Sequence, residues 1–159
     1  MCEYCGCQAI AAIDLLTREH CAALECVADA RAAAKGDDFP GAQTACSRIL
    51  YVLAPHMVVE EQALFPALAG DFSEQMQALV AEHALLDGVF DSIASALSPP
   101  CGWAIELTQA LDILREHILK EQDGVFPAAL ANLHPADWDR LDAVREQVGC
   151  SIDVQPLAL

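Results

Sequence analysis

Basic residues are scarce in this chain. Its 159 residues include eight Lys and Arg against 24 Asp and Glu, which gives a formal net charge of −16 at pH 7. A surface that binds nucleic acid needs clustered Lys and Arg to neutralise phosphates. The sequence has no such cluster, so we expect no nucleic-acid partner.

Aromatic residues, glycine and proline are also few, whereas alanine and leucine are abundant. Aromatic residues make up 6% of the chain, and there are eight glycines and eight prolines, most of them in turn-like places. This composition favours one helical domain over a β-sandwich or a disordered chain.

Long apolar runs and an export signal are absent as well. No apolar run reaches the roughly 18 residues that a membrane helix requires. The opening residues, MCEYCGCQ, contain neither a basic segment nor an apolar one, so we expect no signal peptide. The sequence therefore predicts a cytoplasmic protein with no membrane partner.

Cysteine, by contrast, is plentiful. Eight cysteines would fit a disulfide framework in a small secreted protein, but without an export signal we expect reduced thiols. Free cysteine often behaves as a small buried apolar residue. We interpret the five isolated cysteines mostly in this way: Cys21, Cys26, Cys46, Cys101 and Cys150.

The other three cysteines form a CxxCxC motif in an N-terminal segment, residues 1–8. Cys2, Cys5 and Cys7 are one ligand short of the four usual for structural zinc or an iron–sulfur cluster. Three interpretations stay open: a soft-metal clamp completed by another cysteine such as Cys150, a redox-active dithiol, or a thiolate that approaches a metal site elsewhere. Incidental thiols at a frayed terminus are the alternative.

Four long segments show helical periodicity of apolar residues, with short connections between them. They span about residues 9–34, 40–69, 72–97 and 102–131. Such helices form antiparallel neighbours, so the sequence predicts an all-α, up-down-up-down four-helix bundle. His134 and Pro135 indicate the start of a short fifth helix that ends near Val148. We expect the bundle and this helix to occupy residues 9–149, and residues 150–159 to be an irregular tail.

The chain also contains an internal repeat. HMVVEEQALFPALAG, at residues 56–70, returns as HILKEQDGVFPAALAN at residues 117–132. Each copy places a glutamate four residues after a histidine, and Phe-Pro follows. Pro66 and Pro127 predict matching bends just past the glutamates. The repeat predicts a bundle with pseudo-twofold symmetry.

The repeat places one histidine and one carboxylate on the same face of each of two helices, because residues i and i+4 lie one turn apart. His20 and His83, which are 63 residues apart, lie on similar apolar stripes. A buried carboxylate without a partner costs several kcal/mol. A pair of divalent cations removes this cost if the four imidazoles are terminal ligands of the two ions and the two carboxylates bridge the ions. The candidate ligands are His20, His56, Glu60, His83, His117 and Glu121.

This pattern, H…HxxxE…H…HxxxE with Phe-Pro after each glutamate, resembles the hemerythrin-like HHE cation-binding family over roughly residues 9–147. The resemblance implies that the four histidines are terminal ligands of two iron ions in a non-haem centre. It also implies that Glu60 and Glu121 bridge the irons, with an oxo or hydroxo bridge possible. Histidine and carboxylate also suit manganese and zinc, so other divalent metals stay open. Ferritin-like bundles, whose signature is ExxH, do not fit.

The sequence departs from the oxygen-carrying members of that family, which have a fifth histidine paired with another at HxxxH spacing on the third helix. The positions four residues before and after His83 hold Leu79, which cannot ligate, and Asp87, which could ligate directly or through water. An aspartate in solvent or at a helix cap is equally consistent with the sequence. His134 is expected to cap the fifth helix.

Four histidines and two glutamates instead resemble the iron-centre repair and nitrosative-stress branch of the family. Fewer protein ligands leave more open coordination positions, which suit O₂, NO or peroxide. We therefore hypothesise a stress scavenger or sensor, with peroxide- or NO-reactive catalysis and reversible binding both open. The alternatives are iron donation or divalent-metal buffering without catalysis, and an interaction bundle without metal.

Overall fold

The computed structural model describes residues 10–152, and this part of the chain is helical, without a strand. Cys2, Cys5 and Cys7 lie outside the described residues. Eight helical elements follow one another: α1 (Ala11–Lys35), α2 (Phe39–Val59), π1 (Glu60–Leu64), α3 (Phe65–Ser95), α4 (Trp103–Lys120), π2 (Glu121–Val125), α5 (Phe126–Asn132) and α6 (Pro135–Val148). The all-helical fold predicted from the sequence is confirmed.

The turn between α1 and α2 is determined by local sequence. The Asp38 side chain accepts a hydrogen bond from the backbone N–H of Gly41 at 3.1 Å, and Pro40 lies in the first turn of α2. A Cβ on Gly41 would lie 2.2 Å from an oxygen of Asp38, so a larger residue would disturb this cap. The two helices therefore end and begin close to where the sequence predicted.

The connection between the second and third legs of the bundle differs from the prediction. Gly70 was expected to lie past the end of one helix, but α3 continues through it and bends at Phe72. Phe72 has non-helical backbone angles, φ −128° and ψ 35°. Residues 65–71 thus complete the second leg and residues 73–95 form the third, with no loop between them.

A turn of π-helix follows the histidine of each repeat. In π1 the N–H of Phe65 donates to the carbonyl of Glu60, five residues back, and in π2 the N–H of Phe126 donates to the carbonyl of Glu121. The next residue in each case is a proline, which has no N–H to donate, so the α-helical pattern could not have continued unbroken here. The bends expected at Pro66 and Pro127 thus take the form of two π turns. Such turns are rare and occur often at functional sites.

The four legs pack in a closed ring. Helix α1 contacts α2 and α4, and α3 contacts α2 and α4 as well. Helix α6 packs across one side of this ring, against α2, π1 and α1. Its N-cap is His134, as expected, and the carboxylate of Asp137 accepts a hydrogen bond from the backbone N–H of His134.

Two apolar clusters fill the bundle. One extends from Ala23 on α1 to Ile118 on α4 and includes Trp103 and Phe90. The other contains Ile13, Leu64, Phe65 and Phe126, together with Leu141 of α6.

Only two of the five isolated cysteines are buried in the core, as the sequence led us to expect of most of them. Cys26 and Cys46 are buried in the first cluster, and burial raises the pKa of Cys46 to about 11. Cys21 is half-buried, but Cys101 and Cys150 are exposed, so packing does not account for them. No disulfide joins any of these five. Within the part of the chain described, no helix is long and apolar enough to cross a membrane.

Candidate metal centre

Four of the helices carry a polar residue at the boundary between the two apolar clusters. On α1, Leu16 belongs to one cluster and Ala23 to the other, and His20 lies between them. On α3, Leu79 and Leu86 bracket His83 in the same way. The bundle therefore has a layer of titratable groups between two apolar ends.

The six predicted ligand residues all lie in this layer and are all buried, none being more than 3% exposed. Their ligand-type atoms fall into two groups, and within each group the atoms lie within 4.8 Å of one another. The first group contains His20 and His56, and the second contains His83 and His117; both groups contain Glu60 and Glu121. We call these groups the His20/His56 position and the His83/His117 position.

The two carboxylates span the positions. One oxygen of Glu121 lies 3.1 Å from Nε2 of His20, and its other oxygen lies 3.0 Å from Nε2 of His117. One oxygen of Glu60 lies 3.2 Å from Nε2 of His56 and 3.5 Å from Nε2 of His83. Each glutamate thus faces both positions, as a bridging ligand must.

Five of the converging atoms have no hydrogen-bond partner: Nε2 of His20 and both carboxylate oxygens of Glu60 and of Glu121. Both oxygens of Glu121 and one oxygen of Glu60 lie 3.0–3.2 Å from ring nitrogens, but not with hydrogen-bond geometry. Unpaired carboxylate oxygens inside an apolar bundle cost several kcal/mol each. Cations would satisfy all of these atoms together, and imidazole with carboxylate is a donor set that divalent transition metals accept. The residues present therefore fit a pair of metal ions.

A second layer of polar groups contacts the far side of each histidine ring. Nδ1 of His56 lies 3.0 Å from Glu19, and Nδ1 of His117 lies 2.9 Å from Glu82. The remaining two Nδ1 atoms, of His83 and His20, lie 2.8 Å from Glu61 and 3.4 Å from Gln122. Such contacts fix the orientation of a ring, and a group that accepts the Nδ1 proton also leaves Nε2 free to ligate.

The comparisons with known proteins agree with this geometry. The family model "Hemerythrin HHE cation binding domain" matches residues 11–129, about three quarters of the chain. The chain belongs to the hemerythrin HHE cation-binding family. No curated protein and no solved structure gives a significant match. Membership of this family and the two buried groups of histidine and glutamate together identify a metal-binding protein.

Several titratable groups of this HHE domain are displaced from their ordinary pKa values. Burial lowers the pKa of His56, but the charge of Glu60 and the contact with Glu19 outweigh burial and raise it to about 10. Burial likewise opposes protonation of His117, yet its contact with Glu121 raises that pKa. For His20 burial dominates, and the pKa is lowered. Burial raises the pKa of Glu121, but the contacts with His117 and His20 outweigh it and the pKa falls.

The phenylalanine of each Phe-Pro pair packs on a histidine ring from the other half of the chain. Phe126 stacks on His20 with ring centres 5.7 Å apart and ring planes 12° apart, and Phe65 stacks on His83 at the same distance with planes 26° apart. The repeated Phe-Pro therefore serves the site directly.

On the opposite side of the rings the HHE domain has a cavity of about 10 Å³. Its lining consists of the four histidines and apolar side chains: Leu53, Met57, Leu86, Leu114 and Ile118. A cavity of this size holds about one water molecule. Only a ligand of a few atoms could enter it without displacing side chains.

The structure separates the six clustered residues from the additional candidates. Asp87 is exposed on α3 and belongs to neither group of ligand-type atoms. Leu79, at the position of the missing fifth histidine, is buried in the second apolar cluster. Cys150 is exposed, but its sulfur lies 3.6 Å from Glu19.

Sequence reasoning missed the second layer. Glu19 and Glu82 precede His20 and His83 in the chain, and adjacent residues of a helix point about 100° apart. They contact not those neighbouring rings but the rings of His56 and His117. The signal that could have found them is the internal repeat itself, because Glu19 and Glu82 are 63 residues apart, like the histidines that follow them. Nothing in the sequence indicated that Arg145 of α6 would bind Glu19.

Proposed function

We propose that the six clustered side chains hold two iron ions, bridged by Glu60 and Glu121, and that this centre binds or reacts with O₂, NO or peroxide. The observation that carries the proposal is the convergence of five buried polar atoms that have no hydrogen-bond partner. Membership of a cation-binding family supports the metal. Iron is the metal that the family resemblance favours.

The number of protein ligands supports a reactive centre. Each position has two histidines and shares two carboxylates, so iron bound there would have coordination positions left for exogenous ligands and could change its oxidation state. Leu79 cannot supply the further ligand, and Asp87 is exposed outside the site.

The surrounding residues would control what reaches the centre. The 10 Å³ cavity beside the histidines is walled by leucine, isoleucine and methionine, which exclude bulk water and leave room only for a molecule of a few atoms. Phe65 and Phe126 close the opposite side of the rings. A diatomic molecule or peroxide fits these limits better than any organic substrate.

Anaerobic reconstitution tests the proposal. The metal-free protein is loaded with Fe²⁺, its iron content is measured, and it is mixed with O₂, NO or H₂O₂ in a stopped-flow spectrometer. We expect two irons per chain and a change in the optical spectrum with at least one of the three molecules. Turnover beyond one equivalent indicates catalysis, whereas a stable band that reverses when the ligand is removed indicates binding.

Two variants control this experiment. Asp87→Ala changes an exposed carboxylate outside the site and should keep both irons and the reaction. Glu60→Ala removes a carboxylate that faces both positions, and this variant should hold at most one iron and lose the reaction. Iron content near zero in the wild type after anaerobic loading would contradict the proposal. Iron donation or divalent-metal buffering is the second hypothesis from the sequence. Cys2, Cys5 and Cys7, which could relay the metal in that case, lie outside the described residues.

A further inference from the structure

The second layer of polar groups follows the internal repeat with one exception. Glu19 and Glu82 are 63 residues apart and contact the equivalent rings of His56 and His117. Glu61 and the residue 61 positions later also contact equivalent rings, but that residue is Gln122. A carboxylate in one half of the molecule is therefore replaced by a neutral amide in the other.

The exception changes the charge behind the two metal positions. At the His83/His117 position both Nδ1 atoms contact carboxylates, at 2.8 and 2.9 Å. At the His20/His56 position one Nδ1 contacts Glu19, and the other lies 3.4 Å from the amide of Gln122. Whichever end of the amide faces His20, this partner carries no charge.

The cations that bind Glu19 and Glu82 do not offset the difference. Arg145 binds Glu19 through two hydrogen bonds, at 2.8 and 2.9 Å, and Lys120 pairs with Glu82. Each of these glutamates thus has one cation. Glu61 remains as one additional negative charge on the His83/His117 side.

We propose that the two metal positions are unequal, and that the His83/His117 position binds its ion more tightly than the His20/His56 position. A carboxylate that accepts the Nδ1 proton makes the imidazole a better ligand and holds its ring in place, and removing such a group typically costs 10- to 100-fold in metal affinity. Glu61 is 38% exposed, so water screens its charge and the difference should be near the lower end, about tenfold. This inference rests on the proposed ligand set but not on iron or on any reaction.

The consequence is an order of filling and emptying. At a low concentration of free metal ion, the protein would hold one ion, bound by His83 and His117. His20 and His56 would bind the second ion only when the metal concentration is higher. The ion in the His20/His56 position would also be lost first. Glu61 and Gln122 act as positioning residues here, since each acts through a histidine.

A titration with Zn²⁺, followed by ¹⁵N NMR of the histidine side chains, tests the order. Zn²⁺ is diamagnetic and accepts histidine and carboxylate ligands. With one equivalent added to the metal-free protein, we expect the Nε2 signals of His83 and His117 to shift first. Those of His20 and His56 should shift with the second equivalent.

The double variant Glu61→Gln with Gln122→Glu exchanges the two groups without changing the net charge. It should reverse the order, so that His20 and His56 shift first. Glu106→Gln, which makes the same Glu-to-Gln change at an exposed position in the first turn of α4, shows whether that change alters the order outside the second layer, and it should leave the wild-type order unchanged.

The outcomes separate the inference from the proposed function. If all four histidines shift together throughout the titration, or if the double variant keeps the wild-type order, the two positions do not differ through Glu61 and Gln122, and the inference is wrong while the ligand set stands. If none of the four responds to two equivalents of Zn²⁺, the ligand set itself is wrong and the inference fails with it.

Discussion

The two halves of the bundle contribute matching sets of side chains to the site but differ in what supports those sets. The half before residue 72 supplies His20, His56 and Glu60, and the half after it supplies His83, His117 and Glu121. Behind the first set, α6 covers the bundle and Glu19 is fully buried; behind the second, Glu82 is 24% exposed. The six proposed ligands follow the internal repeat, whereas the residues that contact them from outside differ between the halves.

Removing a bridging glutamate should have the largest effect, and an equal one in both halves. Glu60→Ala and Glu121→Ala each remove a carboxylate that faces both metal positions, so each should reduce bound metal to at most one ion and lower the melting temperature of the loaded protein. A ligand present at about 1,000 times its Kd stabilises the folded state by about 4 kcal/mol, and this contribution is lost. Metal analysis and thermal melting of both variants measure it.

The metal-free forms provide the control. Without metal, each substitution removes two buried carboxylate oxygens that have no hydrogen-bond partner, together with the interaction of that carboxylate with a protonated histidine. It should therefore cost less stability than in the loaded protein. If a variant loses its metal but melts at the same temperature as the metal-loaded wild type, bound metal does not stabilise the bundle.

Removing the supporting cation should affect the halves unequally. Arg145→Ala removes the guanidinium that makes two hydrogen bonds to the fully buried carboxylate of Glu19 and leaves it only the ring of His56, and breaking a buried pair in this way costs about 3 kcal/mol. Lys120→Ala removes a side chain that is 51% exposed from the partly exposed Glu82, and should cost less than about 1 kcal/mol. Urea unfolding of the two metal-free variants compares them. Equal losses would show that α6 does not distinguish the halves.

Metal binding should release protons from both halves. The pKa of His56 is raised from 6.5 to about 10 and that of His117 is also raised, so at pH 6.5 each ring in the metal-free protein is more than half protonated. Bound metal requires both rings to be neutral. Titration calorimetry in buffers of different ionisation enthalpy should therefore detect more than one proton released per chain.

The sign of the pH dependence follows from the raised pKa values. In the metal-free protein, protonated His56 adds stability that is fully present below pH 6.5 and is lost as the pH rises towards about 10. Metal affinity should change in the opposite direction and rise over that interval, by up to tenfold per pH unit for each proton released. An affinity independent of pH from 6.5 to 8 would contradict a protonated His56 in the metal-free protein.

The smallest effect is expected at Asp87. Because this side chain is exposed and outside both groups of ligand-type atoms, Asp87→Ala should change the free energy of unfolding by less than about 0.5 kcal/mol and leave the metal content unchanged. Elemental analysis decides between this expectation and ligation by Asp87. Loss of one ion would show that the half after residue 72 has a ligand that its counterpart lacks.

Much of the site was predictable because helical geometry is local. An i, i+4 pair lies on one face of any α-helix, so His56 with Glu60 and His117 with Glu121 could be paired from the sequence. The matching spacing of His20 and His83 then implied one shared layer. The π turns were not predictable in the same way: a proline showed where the helical pattern must be interrupted, but not whether the helix would bend, break or widen.

The sequence by itself determined the helical class, the repeat and the six residues that meet, because apolar periodicity and residue spacing act within one helix or between adjacent ones. Only the tertiary structure decided what stands behind those residues. Glu19 contacts a histidine 37 residues away and an arginine 126 residues away, and Gln122 contacts a histidine 102 residues away. Such contacts depend on how whole helices rotate and pack against one another, and a periodic pattern of apolar residues does not specify that rotation closely enough to place a single polar atom.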